Sequence, residues 1–173
     1  MKTVRDYYQA VSEALLKIPQ EPVNHITAAL QQARLDKRSI FIFGNGGSAA
    51  NASHFVVDMI KSTVRPDRPR YKIVCLNDNL PTVTAYSNDV SYECVFVEQL
   101  KNFAQPGDVL IAISGSGNSP NVLRAMEYAN SIGCHTIALS GRDGGKMGPL
   151  AKTHIQVAHP HMGRIEDGHL IAL

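Results

Sequence analysis

The chain has 173 residues, 44% hydrophobic and 18% charged, with a net charge of +2 at neutral pH. That length suits one domain, able to bury roughly 70% of its unfolded surface, and so small a charge leaves no electrostatic footprint for direct nucleic-acid or anionic-membrane binding. No apolar run approaches the roughly 18 residues of a membrane span and the N-terminus lacks a signal-peptide core, so a cytoplasmic chain is expected.

Val4, Tyr8, Val11, Ala14, Leu15 and Ile18 recur at helical spacing, and Pro19 stops the run. A second helix is expected from Pro22 to Arg34, with Val23, Ile26, Ala29, Leu30 and Ala33 on one face. The pattern then changes. Ser39–Phe43 is a short apolar run followed by glycines and a helical stretch from Ser48 to Lys61; Tyr71–Leu76 is a second strand. A short helix begins near Thr82–Ala85 and another runs from Glu93 to Phe103. Asp108–Ile113 is a third strand, followed by a Gly/Ser loop and a helix from Asn121 to Ser131 that Gly133 ends. Cys134–Leu139 and His154–Ala158 are the fourth and fifth strands. Cys75, Cys94 and Cys134 cannot all pair within one chain and lack zinc-ligand spacing, so they read as reduced, buried thiols.

Strands alternating with helices predict an α/β fold: one three-layer αβα domain over 1–173, built on a five-stranded parallel sheet. With right-handed crossovers the simplest order is the flavodoxin-like 2-1-3-4-5. Strands 1 and 3 are then neighbours, and a ligand crevice opens at their carboxyl ends. Both Gly/Ser-rich loops follow these two strands: Gly44-Asn45-Gly46-Gly47-Ser48 and Ser114-Gly115-Ser116-Gly117-Asn118-Ser119. Glycines allow close backbone approach, and helix N-termini favour anions. Hydroxyls and backbone N–H groups can surround a phosphate without a lysine, and Pro120 suits the first turn of the helix that follows. A P-loop is excluded, because neither this loop nor Gly141–Met147 has its ending. Gly44, Gly46 and Ala49 satisfy the dinucleotide pattern G-x-G-x-x-A, which keeps a nicotinamide oxidoreductase as an alternative, although the acidic residue Asp78 lies about 30 residues on rather than 20.

His54 and Asp58 are four apart on the helix after the first loop and share a face, an arrangement able to hold a divalent metal or to work as acid and base. Asn88 and Asp89 lie in a polar break, and Glu166 and His169 lie three apart in a last helix starting near Gly163. The apolar ending Leu170–Leu173 carries no cap or polar tail, which predicts a chain cut within that helix.

Together these residues resemble a family. Gly44–Asn51 with His54-Phe55, Asn88-Asp89, Gly107–Leu110 with Ile113–Ser119, Gly141–Gly145 and Arg164–Asp167 are similar, in order, to the motifs of SIS (sugar isomerase) domains, and most of all to sedoheptulose 7-phosphate (phosphoheptose) isomerases. The resemblance implies a homotetramer with active sites at subunit interfaces, the N-terminal helices (1–37) packing in the oligomer. It implies that Ser114, Gly115, Ser116 and Ser119 hold the phosphate. Asn45, Gly46, Gly47, Ser48, Asn88, Asp89 and Glu166 would line the sugar. One zinc ion per subunit would sit on His54, Asp58 and Glu166, with Asp58 as catalytic base for ketose–aldose isomerisation through an enediol. Asp58 stands where the family carries a glutamate, and Glu166 where it usually carries a glutamine. The family's second acid/base, a histidine, would fall at position 174, and His169 does not occupy that motif position. The alternative is a non-catalytic phosphosugar binder of the type that associates with the replication initiator, which Ala49-Ala50-Asn51 and Met59-Ile60 resemble.

Overall fold

Five apolar runs become a parallel sheet: β1 (Ser39–Gly44), β2 (Lys72–Cys75), β3 (Val109–Ser114), β4 (His135–Gly141) and β5 (Thr153–Val157), in the order β2-β1-β3-β4-β5. This is the expected order. The computed structural model describes residues 3–173. Around the sheet lie α1 (Val4–Leu16), α2 (Gln20–Leu35), α3 (Gly47–Val57), α4 (Leu80–Asp89), α5 (Val97–Phe103), α6 (Pro120–Ser131), α7 (Met147–Leu150) and α8 (Met162–Ala172).

The central strands read as continuous apolar runs because both faces are covered. Side chains alternate between the faces. Phe41, Phe43, Leu110, Ala112 and Ala138 meet Leu100 of α5, Met126 of α6 and Met147 of α7. Ile40, Ile42, Ile111, Ile113, Ile137 and Leu139 meet Leu30 of α2 and Ala52, Phe55 and Val56 of α3. Helix α8 closes the carboxyl end of this second face: its Ile165 is fully buried against Val157 and against Ala14 of α1. Cys75, Cys94 and Cys134 are free and buried, as the sequence implies, and burial pushes the Cys134 thiol up to about 11.

Three elements differ from the sequence reading. The helix expected over 48–61 stops at Val57 and continues as a π-helical turn, Asp58–Ser62. The helix expected over 93–103 is split into a 3₁₀ turn, Tyr92–Cys94, and α5. The split lets the successive residues Val95 and Phe96 both become fully buried, with Phe96 stacked on Phe43 at 4.5 Å. The helix begun near Thr82 runs on through Asn88 and Asp89, which are therefore helical rather than a loop.

Candidate functional site

The register of the sheet places the two loops side by side, because Gly44 at the end of β1 pairs with Ile113 of β3. The chain leaves β1 through Asn45 and Gly46. Gly46, the N-cap of α3, has φ 56°, a left-handed conformation that favours glycine. The chain leaves β3 through 115–119 into α6, whose first residue is Pro120. Both helix N-termini face the cleft, and each brings partial positive charge.

Three hydroxyls converge on the β3 side. Ser114 Oγ lies 3.1 Å from Ser119 Oγ and 3.4 Å from Ser116 Oγ. The loop is held from behind: Met147 donates its N–H to the Gly117 carbonyl at 3.0 Å, and Lys146 donates its N–H to Asn118 Oδ1 at 3.1 Å. The segment after β4 thus braces the serine loop.

A pocket of ≈ 180 Å³ opens above these serines, lined by Asn45, Ser48, Ser114, Gly115, Ser116, Ser119, Met162 and Glu166. Glu166 enters from α8. Its carboxylate lies against Gly47 so closely that a β-carbon there would come within 2.6 Å of it. Gly47 therefore provides room for a carboxylate over the N-terminus of α3, where the helix dipole favours an anion. Asn51 donates to the Glu166 carbonyl at 2.9 Å and fastens α8 to α3.

The pocket thus gathers Asn45, Ser48 and Glu166 with Ser114, Gly115, Ser116 and Ser119, all expected from sequence. His54 and Asp58 lie elsewhere. Gly47, Asn51, His54 and Asp58 form one stripe along α3, and Asp58 is 11 residues beyond Gly47, roughly 16 Å along the axis. His54 Nε2 and Asp58 Oδ2 are 3.2 Å apart, and both side chains are 60% exposed. His54, Asp58 and Glu166 therefore do not meet within this chain, and among the described residues no three His, Cys, Asp or Glu side chains form a group able to hold a metal ion. Asn88 and Asp89 are exposed at the end of α4 and bond to each other at 2.7 Å. Asp78, the acidic residue of the dinucleotide pattern, accepts the Ser53 hydroxyl at 2.6 Å.

Several neighbours of the pocket carry no sequence motif. Asn121, in the first turn of α6, is buried, and Tyr92 reaches Asn45 from the 3₁₀ turn. In the sequence each is a single polar residue with no motif around it. Behind the site, His169 is buried and donates through Nε2 to the Ser140 carbonyl at 2.9 Å, leaving Nδ1 without a partner. Burial lowers its pKa, against an opposing effect of that hydrogen bond. His154, also lowered by burial, contacts the Ser140 hydroxyl at 2.7 Å.

Comparison with known proteins agrees with this architecture. Residues 5–141 match the SIS domain family. A probable phosphoheptose isomerase of Thermoplasma acidophilum is 35% identical over 169 residues, 98% of this chain and 92% of that protein. A phosphoheptose isomerase of Bordetella avium is 40% identical over 167 residues, 95% of this chain and 84% of that one. The solved structure of phosphoheptose isomerase GmhA from Neisseria gonorrhoeae superposes with a TM-score of 0.88 at 35% identity, covering 97% of this chain and 89% of that chain. The chain belongs to the SIS domain family, within its phosphoheptose isomerase group.

Proposed function

We propose that this isomerase converts sedoheptulose 7-phosphate to a D-glycero-D-manno-heptose 7-phosphate, with an enediol between them. The observation that carries the reading is the three-serine cradle facing Glu166 and Asn45 across one small pocket. The hydroxyls and the α6 N-terminus suit a phosphate dianion. Anchoring that end presents the rest of the sugar to the opposite wall, which supplies the orientation that an isomerase needs.

The chemistry requires a carboxylate at the carbon beside the carbonyl. It takes the proton from C1 of the ketose, the C1–H electrons form the C1=C2 bond, and the carbonyl oxygen gains a proton. The C1=C2 electrons then take a proton at C2 while the C1 hydroxyl gives up its proton and C1=O forms, which gives the aldose. In this proposal Glu166 orients the sugar, and the base is Asp58 supplied by a neighbouring subunit of a homotetramer. The separation along α3 supports this, since roughly 16 Å is too far for Asp58 to serve a sugar held by its own chain's serines. The exposure of the His54–Asp58 pair leaves it free to be covered by another subunit. Zinc on His54, Asp58 and Glu166 does not fit one chain, because the three do not meet among its described residues.

The test is turnover of sedoheptulose 7-phosphate by the wild type, Asp58→Asn and Ser114→Ala proteins, and by refolded mixtures of the two variants. Asp58→Asn alone should be inactive, Ser114→Ala alone should keep about 1–10% of wild-type turnover at substrate well below KM, and the mixture should exceed the average of the two. A mixture no better than that average rejects the shared site. The exposed position of Asp58 also favours a second reading, a phosphosugar binder without turnover, which sugar-phosphate binding by an inactive wild type would establish.

A further inference from the structure

A chain of hydrogen bonds decides which way the Asn45 amide faces. The backbone N–H of Val122 can only donate, and it is shared between the Ser119 carbonyl and Asn121 Oδ1, each at 3.0 Å. That contact makes Oδ1 of Asn121 an oxygen and leaves its Nδ2 as the donor toward the other loop. Asn121 Nδ2 then donates to Asn45 Oδ1 at 3.0 Å, and Asn45 Nδ2 donates back to Asn121 Oδ1 at 3.0 Å. Tyr92 Oη donates to Asn45 Oδ1 at 2.7 Å. The Asn45 oxygen now has two donors and is saturated. Its nitrogen has used one of its two protons.

We infer that Asn121 and Tyr92 are positioning residues that hold the Asn45 amide with its remaining N–H toward the pocket, so that Asn45 recognises an oxygen acceptor on the sugar, a carbonyl or hydroxyl oxygen, and never a donor. This rests on the proposed binding of a phosphosugar, and it deepens that reading by assigning the polarity of one wall. The arrangement is preorganised. Flipping the Asn45 amide would set its nitrogen against the Asn121 nitrogen, and flipping both would set the Asn121 nitrogen against the Val122 N–H. Asn121 is 2% exposed, so neither fault is relieved by water.

The experiment uses Asn121→Asp, which is isosteric. As a carboxylate it still accepts from Val122 and from Asn45, but it turns a second oxygen toward Asn45 Oδ1, and the amide loses its orientation. As a neutral acid it regains a donor, and the wild-type pattern returns. Binding of sedoheptulose 7-phosphate and of inorganic phosphate is measured by calorimetry on the full chain from about pH 8 to about pH 5, across the range of a buried carboxyl. Relative to wild type, Asn121→Asp should bind the sugar phosphate about tenfold more weakly at the alkaline end, and the deficit should close as the pH falls. Inorganic phosphate, held on the serine side, should lose less than the sugar phosphate in Asn121→Asp, whose charge lies in the first turn of α6, and should bind alike in wild type and Asn121→Ala. Asn121→Ala should show a deficit that does not close, and Tyr92→Phe a smaller one.

A deficit in Asn121→Asp that is independent of pH, or equal losses for phosphate and sugar phosphate, would overturn the inference in favour of a structural role. A wild type that binds phosphate but no sugar phosphate overturns the functional reading and this inference with it. A wild type that binds the sugar without isomerising it overturns only the reaction, since the measurement is of binding.

Discussion

Asn45 and Asn121 exchange side-chain amide hydrogen bonds, 3.0 Å in each direction, across the gap between the loop after β1 and the first turn of α6. They are 76 residues apart in the chain. The pair joins the β1 side of the cleft to the β3 side. Removing one partner leaves buried polar groups unpaired, which costs about 1–3 kcal/mol. Asn121→Leu should therefore lower stability by that amount in urea unfolding while the slope with denaturant stays constant.

The serine cradle is centred on Ser114, which touches both other hydroxyls. Ser114→Ala should weaken phosphosugar binding by about 10- to 100-fold, the loss of a hydrogen bond to a charged group. Ser116→Ala should cost less, because the Asn118 N–H bonded to its hydroxyl can turn to solvent. Steady-state kinetics should show both changes mainly in KM.

Gly47 makes room for Glu166. Gly47→Ala should displace the carboxylate from the pocket and lower activity by about tenfold or more, close to the effect of Glu166→Gln. Alanine is the better helix former by about 1 kcal/mol, so melting temperature should not fall with activity. The double variant should be little worse than either single one, because both act on one contact.

His169 is buried with its Nδ1 unpaired, and burial holds its pKa below the ordinary value. The unfolded chain takes up the proton more readily than the folded one. Stability from this group is therefore complete above the ordinary histidine pKa of about 6.5 and declines as the pH falls below it, by at most about 1.4 kcal/mol per pH unit. His169→Gln, which keeps a donor for the Ser140 carbonyl, should show a shallower loss of melting temperature between about pH 7 and about pH 5. Parallel curves for the two proteins would remove His169 as the titrating group.

Much of this protein is local in origin. The apolar runs, the glycines between strand and helix and the handedness of the crossovers determine a parallel sheet in the order β2-β1-β3-β4-β5, with both Gly/Ser loops at one crevice. Ser114, Ser116 and Ser119 were legible for the same reason, since they lie within one short loop. What the tertiary structure decided depends on residues far apart in the chain. Helical spacing could pair His54 with Asp58, but it could not show that Glu166, from the last helix, enters the pocket at Gly47 while Asp58 stands roughly 16 Å further along the helix. Asn121 and Tyr92 carry no pattern of their own, because an amide becomes a polarity device only when packing brings Val122, Asn45 and a phenol around it. Periodicity reports which face of an element is buried, and only the packed chain reports which polar atoms meet.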